Sequence, residues 1–409
     1  MKITDVKIRF VEGVVPPDML VLDMYMRNTV HYIPVNNHYN PSSNPFARPS
    51  GAAAGTPNKK VDAFLYIETD EGITGVAGPI MNVNTIGPMI KNSFSTFLIG
   101  EDPLNTERIW DYLYRRDLYN HAGINIMAIS ICDFALWDIK CKKAGLPLWQ
   151  MIGGATQVSM PAYANCVGNA YKKDGSGYDL DEVARMTDWC VKNGFTGSKW
   201  YPHRGPADGN KGIQELYELY KVIRDVGGPD FKLLLDVWSA WDVDYTLKAA
   251  KKLAELDFYW IEEPLLPNNI DGYEKLGKHS PISISAGENI VTRWNAEKYL
   301  EKDALDFYQP DPAWCGGISE CLKMMALIAM RNKRIALHAY CVPVCAQLTA
   351  IYTANVCPIS EYLLYISPSG QFFYKNPIVP KDGNLYLPSD PGIGLDIDES
   401  KVINSWFME

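Results

Sequence analysis

Three acids recur along the chain at a constant interval. Asp236 closes "FKLLLD", Glu262 lies in "FYWIEEP" and Glu288 in "SAGEN", each 26 residues from the next. Each ends an apolar run that reads as a buried strand. Carboxylates crowded at one point repel each other, and burying their charge is costly. A hard divalent cation removes that cost, and all-oxygen ligation suits Mg²⁺. Asp236, Glu262 and Glu288 are therefore the expected ligands of one Mg²⁺ per site. Glu262 is expected to face the ion. Its neighbour Glu263 is expected to face the other way, towards a cation or water.

A second pair follows at nearly the same interval. Asp311 ends "DFYQPD" and His338 ends "RIALH", 27 residues apart. A carboxylate beside an imidazole fixes its tautomer and raises its proton affinity, which makes a general acid/base. Glu361 in "CPISEY" is expected to line the same mouth. Upstream, Lys199 and Tyr201 in "GSKWYPHRGP" share strand parity and face one way. Lys199 suits a substrate carboxylate and could lower the pKa of Tyr201. His203 and Arg204, in the loop beyond, are candidate substrate contacts.

The elements needed to gather these residues are legible as a beat. From about residue 158, an apolar run ending in a polar residue alternates with a helix-like stretch roughly every 25 residues. Such βα units imply a parallel sheet, and so many in a row favour a closed barrel. In a barrel the C-terminal strand ends share one mouth, where chemistry sits. Before the barrel, residues 3–15 alternate as a strand. Residues 62–78 read as a hairpin turning at "TDEG", and 105–116 and 123–145 as helices, the last capped by Gly145. The expected domains are 1–155 and a barrel over 156–370, with 371–409 returning to the first.

Composition narrows the partners. The 409 residues carry a net charge of −9 and no basic block, which argues against nucleic acid and anionic membranes. No apolar stretch has the length of a membrane span or a signal peptide. The nine scattered cysteines read as reduced thiols of a cytoplasmic protein.

The ordered set "ICDFALWDIKCKKAGLPLWQMIGG", "WIEEP", "GEN" and "QPD" with a strand-end histidine resembles the enolase superfamily, in its mandelate racemase-like subgroup. The likeness spans nearly the whole chain. It implies a modified (β/α)7β barrel under an α+β capping domain built from both chain ends. It also implies Mg²⁺ on Asp236, Glu262 and Glu288, an Asp311–His338 dyad, and homo-oligomers from dimer to octamer. The implied chemistry is abstraction of a proton α to a substrate carboxylate, with Glu361 bonding the carboxylate's far oxygen. Two positions depart from the pattern. Tyr201 stands where many relatives have a second lysine base. Trp238 stands where they often have Asn or His, and is expected to wall the substrate pocket. With His338 as the firm acid/base, dehydration of a sugar acid is the expected reaction. Epimerisation or cycloisomerisation is the alternative, and a non-catalytic sugar-acid binder a more remote one. A lid is expected over 18–58, with His31, Tyr32, His38, Tyr39 and Arg48 offering substrate contacts, and a second over 78–85.

Overall fold

The sequence "ITDVKIRFVEGVV" gives β1 (Ile3–Val15), which buries Val6 and Ile8 on one face and Val11 and Val15 on the other. The computed structural model describes residues 1–16, 58–119, 121–166, 170, 172 and 177–409. The proposed lid contacts His31, Tyr32, His38, Tyr39 and Arg48 lie outside the described residues. β1 pairs antiparallel with β2 (Asn58–Thr69), and β2 turns at Gly72 into β3 (Thr74–Ala77). After a helical stretch over 83–98 come α1 (Thr106–Arg115) and α2 (Ile124–Ala144). Gly145 ends α2 in the left-handed conformation, φ 69°, as its glycine identity led one to expect.

The barrel strands are β4 (Ser159–Asn165), β5 (Gly197–Trp200), β6 (Lys232–Asp236), β7 (Phe258–Glu262), β8 (Ile284–Ala286), β9 (Phe307–Tyr308), β10 (Arg334–Ile335) and β11 (Ser360–Leu363). Each pairs in parallel with the next from β4 to β10, and the last strand, β11, lies against the first, β4. This is the modified barrel under a separate antiparallel sheet. The helices between strands are α3 (Leu180–Lys192), α4 (Gly209–Gly227), α5 (Val243–Leu253), α6 (Ile270–His279), α7 (Arg293–Glu301), α8 (Gly317–Met330) and α9 (Val342–Ala350). Inside the barrel, Tyr163, Leu234, Trp260, Phe307, Ala336 and Ile359 form a dry plug. Trp260 meets Tyr163 edge-on at 5.5 Å and Phe307 at 4.9 Å. The plug closes the floor, so the polar strand ends look out of one mouth only.

The tail divides between the two sheets. β12 (Asn384–Tyr386) pairs with β4 of the barrel, whereas β13 (Asn404–Phe407) pairs with β1, and Trp406 stacks on Phe10 at 5.3 Å. The tail thus rejoins the N-terminal strands by its final segment, after first binding the barrel. No described helix is long and apolar enough to cross a membrane.

Two acids of "CDFALWD" lock α2 in place. Asp138 accepts from the Val76 and Ile393 amides, tying α2 to β3 and to the tail. Asp133 accepts from the Ser319 amide (2.9 Å) and hydroxyl (2.6 Å), so it caps the start of α8 from another helix. Gly317 lets the two approach, because a Cβ there would lie 2.4 Å from Asp133 Oδ2. Replacing Asp133 by Ala leaves the Ser319 donors buried and unpaired. The expected loss is about 2 kcal/mol, read as a lower urea midpoint. An unchanged midpoint removes this cap from the account.

Candidate active site

β6, β7 and β8 are neighbours in the sheet, so Asp236, Glu262 and Glu288 emerge side by side at its C-terminal edge. All three are buried. One oxygen of each is held from outside the centre. Asp236 Oδ1 accepts from the Trp238 amide (3.0 Å), Glu262 Oε2 from the Trp260 indole (2.9 Å), and Glu288 Oε1 from the Trp238 indole (3.0 Å). The other oxygens turn to two bases. Lys199 Nζ lies 3.1 Å from Asp236 Oδ2 and 2.6 Å from Glu262 Oε1, and His338 Nε2 lies 3.1 Å from Glu288 Oε2.

Lys199 is fully buried at the end of β5. Burial opposes its charge, but Glu262 and Glu361 outweigh that and hold the ammonium well above its ordinary pKa. His338 follows β10, with Nδ1 2.6 Å from Asp311 Oδ2. Asp311 is itself fixed by the Ala313 amide (2.7 Å) and the Tyr340 amide (3.1 Å). Trp314 packs on the imidazole at 4.7 Å. Burial opposes protonation of His338, yet Glu288, Glu361 and Asp311 together raise its pKa to about 10.

Glu361 lies at the same mouth. Its Oε1 accepts from Lys199 (2.7 Å) and Asn165 (2.9 Å), and its Oε2 from the Ala339 amide (3.0 Å). Burial works against ionisation, but Lys199 and His338 win and push the pKa down to about 2. The carboxylate thus braces Lys199, Asn165 and the Ala339 amide. Glu263 turns from the cluster with φ 40°, and the Asn289 side-chain amide donates to it (2.8 Å). Burial and the nearby Glu288 raise its pKa to about 8.

The remaining candidates separate. Tyr201 is buried, and its hydroxyl meets Asn165 Nδ2 at 3.1 Å. Asn165 in turn binds Glu361, so Tyr201 joins the cluster's edge. Trp238 stands at the mouth, but as a donor to two acids and not only as a wall. Arg204 does not reach the cluster. Glu215 (2.6 Å) and Asp208 (3.2 Å) bind it, and it shares with His203 and Tyr178 a cleft of about 690 Å³ beside the start of α3. The sequence reading missed Asn165, Trp260, Asn289 and Trp314. Asn165 had a signal, since it too is a polar residue ending a strand. Trp260 shares strand parity with Glu262.

The donor set fits a hard dication. Asp236, Glu262 and Glu288 present oxygens from adjacent strand ends. Burial, with repulsion from Asp236, raises the pKa of both Glu262 and Glu288, so the cluster lacks positive charge. Among the described residues no three His, Cys, Asp or Glu side chains already converge as ligands, because Lys199 and His338 stand against them.

The model of an enolase C-terminal domain-like family matches residues 181–401. That of the mandelate racemase/muconate lactonizing enzyme N-terminal domain matches 39–153. The chain is 29% identical over 347 residues to an L-rhamnonate dehydratase of Saccharopolyspora erythraea, covering 82% of each. It is 28% identical over 357 residues to a D-galactarolactone cycloisomerase of Agrobacterium fabrum, covering 84% of this chain and 91% of the relative. A racemase of Streptomyces coelicolor A3(2), solved with bound magnesium, shares the fold at a TM-score of 0.75, with 22% identity and 98% of each chain covered.

Lys199→Met leaves three buried acids without their ammonium. Such a change costs about 3–5 kcal/mol. The pH dependence has a definite sign. The depressed pKa of Glu361 contributes stability that is full above its ordinary value of 4.5 and is lost as pH falls through about 2. Without Lys199 the larger part of that contribution goes, leaving His338 and Asn165, so the acid unfolding midpoint moves to higher pH. Circular dichroism against pH checks this, and an unshifted midpoint contradicts the ion cluster.

Proposed function

The chain belongs to the enolase superfamily, in its mandelate racemase/muconate lactonizing enzyme branch, and from that premise we propose a Mg²⁺-dependent dehydratase of a sugar acid, aldonate or aldarate. The observation that carries the reading is the His338–Asp311 pair facing the three acids, with Nε2 3.1 Å from Glu288. Asp236, Glu262 and Glu288 would hold the Mg²⁺. When bound, the ion stabilises the negative charge that develops on the substrate carboxylate as its α-proton leaves.

The chain's own groups do the rest. Asp311 fixes Nδ1, so Nε2 is the atom that moves protons. Nε2 first releases the proton it shares with Glu288; the neutral imidazole then takes the α-proton, and the C–H electron pair passes into the carboxylate. The imidazolium then gives that proton to the β-hydroxyl, which leaves as water. The resulting enol ketonises to a 2-keto-3-deoxy acid. Lys199 adds positive charge beside the developing charge, and the plug keeps water out from below. The likeness to a dehydratase supports elimination. The almost equal likeness to a cycloisomerase supports the alternative, the same deprotonation followed by another fate.

The test is a screen of aldonates and aldarates with Mg²⁺ in D₂O, detecting keto acid as its semicarbazone. Keto acid that vanishes with a chelator is the expected result. Exchange, inversion or ring opening at the α-centre without keto acid overturns dehydration. His338→Asn should lower kcat by roughly 10³ or more and keep the native circular dichroism spectrum, with a lower melting temperature because the buried acids lose an opposing charge. An active variant reassigns the base.

A further inference from the structure

We propose that Trp238 is a positioning residue, which decides which oxygen of Asp236 and of Glu288 faces the reaction centre. The inference rests on the reading of those acids as cation ligands. A carboxylate has two oxygens and a free rotor, so it orients a ligand atom well only when one oxygen is anchored. Here Trp238 anchors two acids at once. Its amide N–H binds Asp236 Oδ1 and its indole N–H binds Glu288 Oε1, both at 3.0 Å. The opposite oxygens, Asp236 Oδ2 and Glu288 Oε2, are the ones that meet Lys199 and His338.

The two-point hold needs an unusual backbone. An amide that turns back on the preceding acid and an indole that reaches the next-but-one strand require the chain to double over. Trp238 and Ser239 accordingly have φ 47° and 64°, a region costly for residues with a Cβ. The turn is pinned by Ser239 N donating to Glu263 O (2.6 Å) and Trp241 N to Pro264 O (3.0 Å). Asn289 adds a weaker second donor to Glu288 Oε1 at 3.2 Å, and its stronger bond goes to Glu263. Losing the indole N–H therefore leaves Glu288 on its lesser anchor. Trp241, on the same loop, offers an internal control, because its buried indole N–H meets no acceptor among the described residues.

Mn²⁺ binding followed by EPR tests this on the full chain, with no substrate. Trp238→Phe keeps an aromatic ring and the amide and removes the indole donor, and Trp241→Phe makes the same loss of ring volume as a control. Its Mn²⁺ dissociation constant should rise by about 10- to 100-fold. KM for substrate at saturating metal should stay near wild type. Trp241→Phe, which loses an unused donor, should bind Mn²⁺ as wild type does. Trp238→Tyr serves if the Phe variant does not fold. If Glu288→Gln loses Mn²⁺ but Trp238→Phe binds it like wild type, this inference alone is overturned. If Glu288→Gln binds Mn²⁺ as tightly as wild type, the ligand assignment falls and the inference falls with it.

Discussion

Surplus negative charge, buried at adjacent strand ends, is the constraint that shapes the barrel mouth. Asp236, Glu262, Glu288, Asp311 and Glu361 are all buried, and among the described residues Lys199 and His338 oppose them. A protein interior does not tolerate such a cluster without compensation. The structure meets part of the demand with an ammonium and an imidazole. The rest is a standing attraction for a hard cation, and the same attraction supports chemistry in which a carboxylate substrate gains charge. Stability and reactivity here come from one electrostatic arrangement.

Aromatic residues make that arrangement specific. The plug fixes Trp260, and Trp260 fixes one oxygen of Glu262. Below Lys199, the ring of Tyr163 lies 5.6 Å from the ammonium and limits where it can go. Farther out, Asp133 and Asp138 bind α2 to the barrel, to β3 and to the tail, so the capping sheet and the barrel mouth keep one relation. The apolar core thus sets the positions of groups whose charges would otherwise drive them apart.

Much of this was legible in the sequence, for definable reasons. Period and spacing are local, so β1, the β2–β3 hairpin, α2 and the βα beat could be read directly. The regular interval of Asp236, Glu262 and Glu288 placed them on neighbouring strands, because one βα unit has a nearly fixed length. Partners across space were not legible. Nothing local says that Asn289 satisfies Glu263, or that Glu361 spends both oxygens on protein donors. Arg204 was misread for the same reason: its partners Glu215 and Asp208 lie on the following helix and turn, which draw it away from the mouth. Trp238 looked like a wall because tryptophan is large, and its donor role depends on a left-handed turn that its sequence does not announce.

The central claim concerns where a dication goes. Diffraction from crystals grown with Mg²⁺ tests it most directly. The account predicts one ion about 2.1 Å from an oxygen of each of Asp236, Glu262 and Glu288. The contradicting result is density that leaves those three acids on Lys199 and His338, with no ion between them at saturating Mg²⁺.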